Sequence, residues 1–275
     1  MQTVTTRLRQ ESLDSDAVGA SVEFRILEPA SYVAGERLPL ILHLHGAMSS
    51  SASLEAARPL YDELMARSEL PRAIVACPST PTLGGFYIDR PGAEWETAVA
   101  RELPDRLAEL YGPPMGIGLI GASMGGYGAL KIAFADPERF ASVAALSPAV
   151  FPGETPEVVP SENLQSVLGD LHLAMSEGTG SSERYATNSV YGRARRNAVR
   201  IRHSGLAILV DCGAADEFRL HEGAEFLHEL LDKLEIPHRY NLVADAGHVG
   251  PSSAIRTAEA IRFVGATLVK RLDDD

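Results

Sequence analysis

Short apolar runs separated by amphipathic stretches constrain this chain's fold more than any other feature. Residues 38–44 are almost continuously apolar, as are 73–76, 117–120, 143–146 and 206–210, with a weaker sixth run at 240–243. Runs without polar alternation suit strands buried on both faces. Residues 21–27 instead alternate, with Val22, Phe24 and Ile26 on one side, and are expected to form an edge strand. Between the runs, residues 54–67, 95–111, 222–234 and 252–270 carry apolar side chains at helical spacing, for example Leu54, Tyr61 and Leu64, or Leu227, Leu230 and Leu234. Pro104 should kink or restart the helix over 95–111. Buried strands alternating with helices imply parallel β-α-β units, hence a doubly wound α/β sheet with helices on both faces.

The chain has 275 residues, enough for one large core and a single domain. Residues 151–204 interrupt the pattern. They are rich in Pro, Gly, Ser and Glu, with Gly178-Thr179-Gly180-Ser181-Ser182 at the middle. An insertion over the C-terminal edge of the sheet is expected there, with short helices near 162–175 and 188–197, acting as a lid or pocket wall. A solvated loop is the alternative.

The formal net charge of −12 argues against nucleic-acid or anionic-membrane partners, since the one basic cluster (Arg193, Arg195, Arg196, Arg200, Arg202) is local. Cys77 and Cys212 each end an apolar run and read as buried thiols. Met1–Arg7 holds no apolar signal core, and no stretch nears the roughly 18 apolar residues of a membrane span, so a cytoplasmic location is expected. Homo-oligomerisation is left open.

The chemistry centres on Gly121-Ala122-Ser123-Met124-Gly125, which lies directly between a buried run and an Ala-rich helical stretch. That placement is a nucleophile elbow. Its sharp turn needs flanking residues without side chains, and the helix that follows aims N–H groups at the serine. A glycine-rich turn with a passive serine is the bland alternative. Two donors must hold the oxyanion. Met124 N–H follows from the elbow, and Ala47 N–H, with Met48 in reserve, from the loop His45-Gly46-Ala47-Met48. His43 and His45 share one strand face and raise a metal reading, but no nearby acid or thiol completes a zinc set. Neither a metal nor an organic cofactor is required.

The general base should be a late-loop histidine. His221 and His228 fall on a helix and His238 precedes a strand, whereas His248 lies between the last run and the closing helix. Three carboxylates compete to orient it: Asp211, Asp216 and Asp245. Asp216, on the loop leaving a strand tip, is favoured over Asp211, which would fix loop backbone, and Asp245, which would shape the turn before His248. His45, Gly46, Met48, Tyr87 and Trp95 are the substrate-contact candidates. Met48 and Met124 flanking the hole suggest a small acyl group.

Residues 121–130, Asp136-Pro137-Glu138-Arg139-Phe140 and Ala145-Leu146-Ser147-Pro148 resemble the esterase D family of α/β-hydrolases. Residues 84–89 (Gly84-Gly85-Phe86-Tyr87-Ile88-Asp89) and 101–104 are similar to its S-formylglutathione hydrolase branch. The resemblance runs from about Leu38 to the C-terminus, apart from the insertion. It implies the α/β-hydrolase fold, Ser123, Asp216 and His248 as a triad, and Ala47 with Met124 as oxyanion donors. The implied activity is hydrolysis of a small ester or thioester through an acyl-enzyme. Where that branch has a cysteine near the oxyanion loop and aromatic residues after the histidine, this chain has Ala47-Met48-Ser49 and Val249-Gly250-Pro251. General esterase activity therefore stands ahead of formylglutathione hydrolysis. A non-catalytic relative that binds a ligand is the reading from another class.

Overall fold

A computed structural model describes residues 6–83, 85–177 and 181–274, with side chains up to residue 269. Gly84 and residues 178–180, cited above, lie outside the described residues. In chain order the strands are β1 (Thr6–Ser15), β2 (Ala20–Pro29), β3 (Leu40–Leu44), β4 (Ile74–Pro78), β5 (Asp89–Arg90), β6 (Ala93–Glu94), β7 (Ile117–Ala122), β8 (Ser142–Leu146), β9 (Ala207–Gly213) and β10 (Arg239–Val243). The helices are α1 (Ser53–Ala66), α2 (Trp95–Thr97), α3 (Leu103–Tyr111), α4 (Met124–Ala135), α5 (Val167–Met175), α6 (Ser182–Asn188), α7 (Val190–His203), α8 (Leu220–Lys233) and α9 (Ser253–Asp274). β5 and β6 form a separate ribbon, and the other strands make one sheet in the order β1-β2-β4-β3-β7-β8-β9-β10.

The apolar runs occupy the centre of that sheet. β3, β4, β7, β8 and β9 are buried almost throughout and pair in parallel. β10 joins β9 in parallel as a half-exposed edge. The alternating strand over 21–27 is not an edge. β1 covers it in antiparallel register from Thr6↔Pro29 to Ser15↔Ala20. In β1 only Leu8 and Leu13 are aliphatic, so its sequence carries no strand period.

Each face of the sheet has its own core. One contains Leu54, Tyr61 and Leu64 of α1 with Ile261, Val264 and Leu268 of α9. The other contains Leu107 of α3, Tyr127 and Phe134 of α4, and Leu227 and Leu231 of α8. The helix expected over 95–111 is interrupted by a π-helical turn, Ala98–Glu102, and resumes as α3 with Pro104 in its first turn. The wide turn accommodates the missing proline N–H and the crowding of its ring.

The 151–204 segment is more helical than expected. α5 starts at 167, α6 was not anticipated, and α7 is capped by Ser189, whose hydroxyl accepts from Gly192 N–H at 3.0 Å. Leu168, Leu171, Tyr185, Tyr191 and Ala194 join the α4-side core, so a solvated loop is excluded. The basic cluster on α7 is largely spent on carboxylates: Arg193 on Glu96, Arg195 on Glu154, Arg200 on Glu138. Both cysteines are free and buried, and burial pushes their thiols up to about 12. Among the described residues no helix is long and apolar enough to cross a membrane.

After β3 the chain crosses to β4 on one side, then returns to β7 on the other. Connections leaving neighbouring strands in opposite directions open a crevice at their C-terminal ends. The loop after β3 and the turn after β7 therefore face each other.

Candidate active site

Ser123 occupies the turn from β7 into α4 with φ 55° and ψ −119°, a sparsely populated region that costs on the order of 1–3 kcal/mol. The surroundings enforce it. Ser123 N–H donates to Leu146 O at 2.9 Å, and its carbonyl accepts from Tyr127 and Ala149 N–H, each at 3.0 Å. A Cβ at Gly121 would overlap the Gly125 carbonyl, and one at Gly125 the Leu44 carbonyl. The two glycines thus let α4 begin directly against the ends of β7 and β3.

The β3 loop lies across from this turn. A Cβ at Gly46 would sit 3.7 Å from Ser123 Cβ. His45 is buried, at 1% exposure, and both of its ring nitrogens are committed. Nε2 accepts from Thr80 N–H at 3.0 Å, so Nδ1 carries the proton and donates to Gly46 O at 2.7 Å. Burial lowers the His45 pKa and keeps the ring neutral, as this tautomer requires. The Gly46 carbonyl belongs to the same rigid peptide as Ala47 N–H. His45 therefore sets the direction of Ala47 N–H. Tyr87 OH donates to His45 O at 3.0 Å, and Met48 N–H is taken by Thr82 Oγ1 at 2.7 Å.

His248 approaches from the loop between β10 and α9. Its Nδ1 lies 2.8 Å from Asp216 Oδ2, and Asp216 Oδ1 accepts from Phe218 N–H at 3.0 Å. Burial alone would raise the Asp216 carboxyl. The His248 hydrogen bond and charge, with the Phe218 and Leu220 backbone donors, hold it below its usual value. A carboxylate only accepts, so His248 carries its proton on Nδ1 and leaves Nε2 as a base. Phe218 packs edge-on against the imidazole, with ring centroids 5.0 Å apart.

Ser123 and His248 line one cavity of about 450 Å³ together with Gly46, Ala47, Met48 and Leu168. Among the described residues Ser123 Oγ makes no hydrogen bond, neither capping α4 nor reaching His248. In ligand-free sites such bonds are commonly long and tighten when substrate binds. Asp216 stands behind His248, and Met124 opens α4 beside Ser123.

Three of the substrate-contact candidates are placed elsewhere. His45 and Tyr87 are buried scaffold beneath the loop, and half-buried Trp95 begins α2 without lining the cavity. Their bulk is used in packing: Tyr87 fills the space beside Gly128. The paired-histidine metal reading also fails on donors, because both nitrogens of His45 are engaged and His43 Nδ1 lies 3.0 Å from Tyr61 OH. Burial and neighbouring His45 push His43 down to about 4.

Asp211 and Asp245 take other places. Asp245 sits in the left-handed region, φ 57°, in the turn before His248. Asp211 accepts from Arg256 Nε at 2.6 Å, while the same guanidinium donates to Gly247 O at 3.2 Å and Ser147 Oγ at 2.9 Å. Glu217 accepts from His248 N–H at 2.8 Å. Sequence reasoning missed Glu217 and Arg256, which hold the His248 loop. Arg256 left a signal: it shares the helical stripe of Ala260, Val264 and Leu268, all buried, where a lone cation needs a buried partner.

Comparison with known proteins agrees with this architecture. The family described as "Putative esterase" matches residues 15–259. The S-formylglutathione hydrolase of Paracoccus denitrificans (strain Pd 1222) is 32% identical over 161 residues, which is 51% of this chain and 57% of that protein. The MPT51 antigen of Mycobacterium leprae is 44% identical over 63 residues, 22% of this chain and 21% of its own length. The matched segments thus span little more than half of the first relative and about a fifth of the second. Among solved structures, a ferulic acid esterase superposes with a TM-score of 0.77 at 20% identity, covering 96% of this chain and 99% of its own. An S-formylglutathione hydrolase from Agrobacterium tumefaciens superposes at 0.69 and 20% identity, covering 99% and 95%. A match over nearly the whole length, on an α/β-hydrolase sheet of this topology, establishes that the chain belongs to this "Putative esterase" family.

Proposed function

We propose that the protein is a serine carboxylesterase in which Ser123 is the nucleophile, His248 the general base and Asp216 the orienting acid. The observation that carries this reading is the 2.8 Å Asp216–His248 contact at the cavity that also holds strained Ser123. His248 Nε2 takes the Ser123 proton as Oγ attacks the carbonyl carbon. The oxyanion is held by Met124 N–H and Ala47 N–H. Met48 N–H, already bonded to Thr82, leaves Ala47 as the loop donor. The imidazolium then gives its proton to the leaving alcohol or thiol, and water releases the acid by the same route.

The substrate is a small-molecule ester or thioester. Val167, Leu168, Phe218 and Leu220 give the cavity an apolar wall, and about 450 Å³ is room for an apolar moiety beyond a minimal acyl group. Residues 151–204 supply part of that wall, through Val167 and Leu168, within a single hydrolase domain. The Paracoccus relative favours a second reading, thioester hydrolysis of the S-formylglutathione type.

The test is turnover of p-nitrophenyl acetate and butyrate alongside labelling by a fluorophosphonate probe. Ser123→Ala should lose labelling and about 10⁶-fold in kcat, and Asp216→Asn about 10⁴-fold. Retained turnover in Ser123→Ala would end the assignment. Absent labelling of the wild type would favour a non-catalytic ligand binder.

A further inference from the structure

Far along α8 from the cavity, the fold brings two imidazoles together that the sequence held apart, one on a helix and one ahead of a strand. His228 Nδ1 lies 2.8 Å from His238 Nε2. The other nitrogen of His238, Nδ1, is 2.8 Å from Ile236 O. A carbonyl only accepts, so the proton sits on Nδ1 and Nε2 turns a lone pair toward His228. On the far edge of His228, Nε2 faces Asp232 Oδ2 at 3.6 Å. That contact is too long for a hydrogen bond, so in the metal-free protein His228 Nδ1–H donates to the His238 Nε2 lone pair. Shifting that one proton to His228 Nε2, on the Asp232 side, frees a lone pair on each ring for a shared ion set off the line between the two nitrogens.

We propose that His228 and His238 bind a divalent first-row transition ion of the Zn²⁺, Ni²⁺ or Cu²⁺ class. Neutral imidazole prefers these ions over Mg²⁺ or Ca²⁺. Two nitrogens bound to one ion at ~2.0–2.1 Å stand roughly 3.0–3.4 Å apart, so the pair opens by about 0.2–0.6 Å. The outer partners are those that metal-bound histidines use: a backbone carbonyl on His238 and a carboxylate beside His228. Tyr240 stacks on His228 with centroids 4.6 Å apart and planes 19° from parallel, which fixes the ring plane. One Asp232 oxygen and one nitrogen of each ring lie within 4.8 Å of one another. Asp232 is exposed and both rings are half-buried, so water completes the coordination and the ion arrives from solvent. Once bound, it ties α8 to the segment leading into β10.

The experiment titrates the full, tag-free, chelator-treated chain with ZnCl₂ by calorimetry and follows thermal unfolding in parallel. The wild type should take up one Zn²⁺ per chain at this site and melt higher with Zn²⁺. His228→Gln and His238→Gln should each bind at least tenfold more weakly and lose the melting shift. Asp232→Asn should weaken binding about tenfold. No uptake by the wild type would overturn the proposal. So would uptake and a melting shift undiminished in the His228→Gln/His238→Gln double variant.

Discussion

At the scale of single residues, the site separates groups that face the cavity from groups that aim them. His45 belongs to the second kind. It lies under the β3 loop, and its Nδ1–H holds the peptide whose other end is Ala47 N–H. His45→Leu should therefore reduce kcat by about 10- to 100-fold, short of the loss of a whole oxyanion donor, with KM changed less than twofold. The stranded Thr80 N–H should cost about 1–3 kcal/mol in urea unfolding. A loss appearing in KM instead would mean the ring contacts substrate. Ser123, His248 and Asp216 were legible as candidates because glycines, loop position and chain order leave local marks. His45 was legible only as a histidine near the loop: whether a ring faces ligand or backbone depends on Thr80, distant in the chain. Glu217 left no mark, since an exposed glutamate in an acidic loop resembles any other.

At the scale of elements, α9 is coupled to the His248 loop through one guanidinium. Arg256 ties α9 to β9 through Asp211 and to the His248 loop through Gly247 O. Arg256→Met would leave the buried Asp211 carboxylate without its cation, with only Asn241 Nδ2 at 3.5 Å, and should cost about 3–5 kcal/mol. The Asp211→Asn/Arg256→Met double variant should regain part of that stability, while kcat stays low in both because the hold on Gly247 is gone. Denaturant unfolding beside kcat measurements checks this, and full recovery of kcat in the double variant would contradict it. The central strands could be read from their apolar runs because both faces are buried. β1 could not, since its pairing with β2 is its main commitment and most of its side chains meet water. The interruption at Pro104 was anticipated, but its form, a π-helical turn, depends on packing that no local pattern encodes.

At the scale of the whole molecule, two carboxylates link stability to acidity. Glu96, on α2, would be raised by burial alone, but Lys131 of α4 at 2.6 Å and Arg193 of α7 at 2.9 Å hold it below its usual value. Asp216 is lowered through His248. A carboxyl lowered by folding stabilises the native state above its unfolded pKa, and that contribution fades as pH falls through the lowered value. The share from these groups should hold from neutrality to about pH 5 and drop away mostly below about pH 4. Glu96→Gln should lower stability near pH 7 by about 3–5 kcal/mol and flatten the acid limb. Unfolding curves from pH 3 to 7 test both, and an unchanged limb would place the acid sensitivity elsewhere.

The backbone torsion at position 123 has a consequence that reaches beyond the reaction. An L-residue there resists the native geometry, and glycine would not. Ser123→Gly should therefore be inert yet melt at or above the wild type, since relieved torsion offsets the greater freedom glycine has when unfolded. Evolution toward durability alone would erase the hydroxyl. Under the proposed function, its presence marks a place where selection for turnover opposes the thermodynamic preference of the chain.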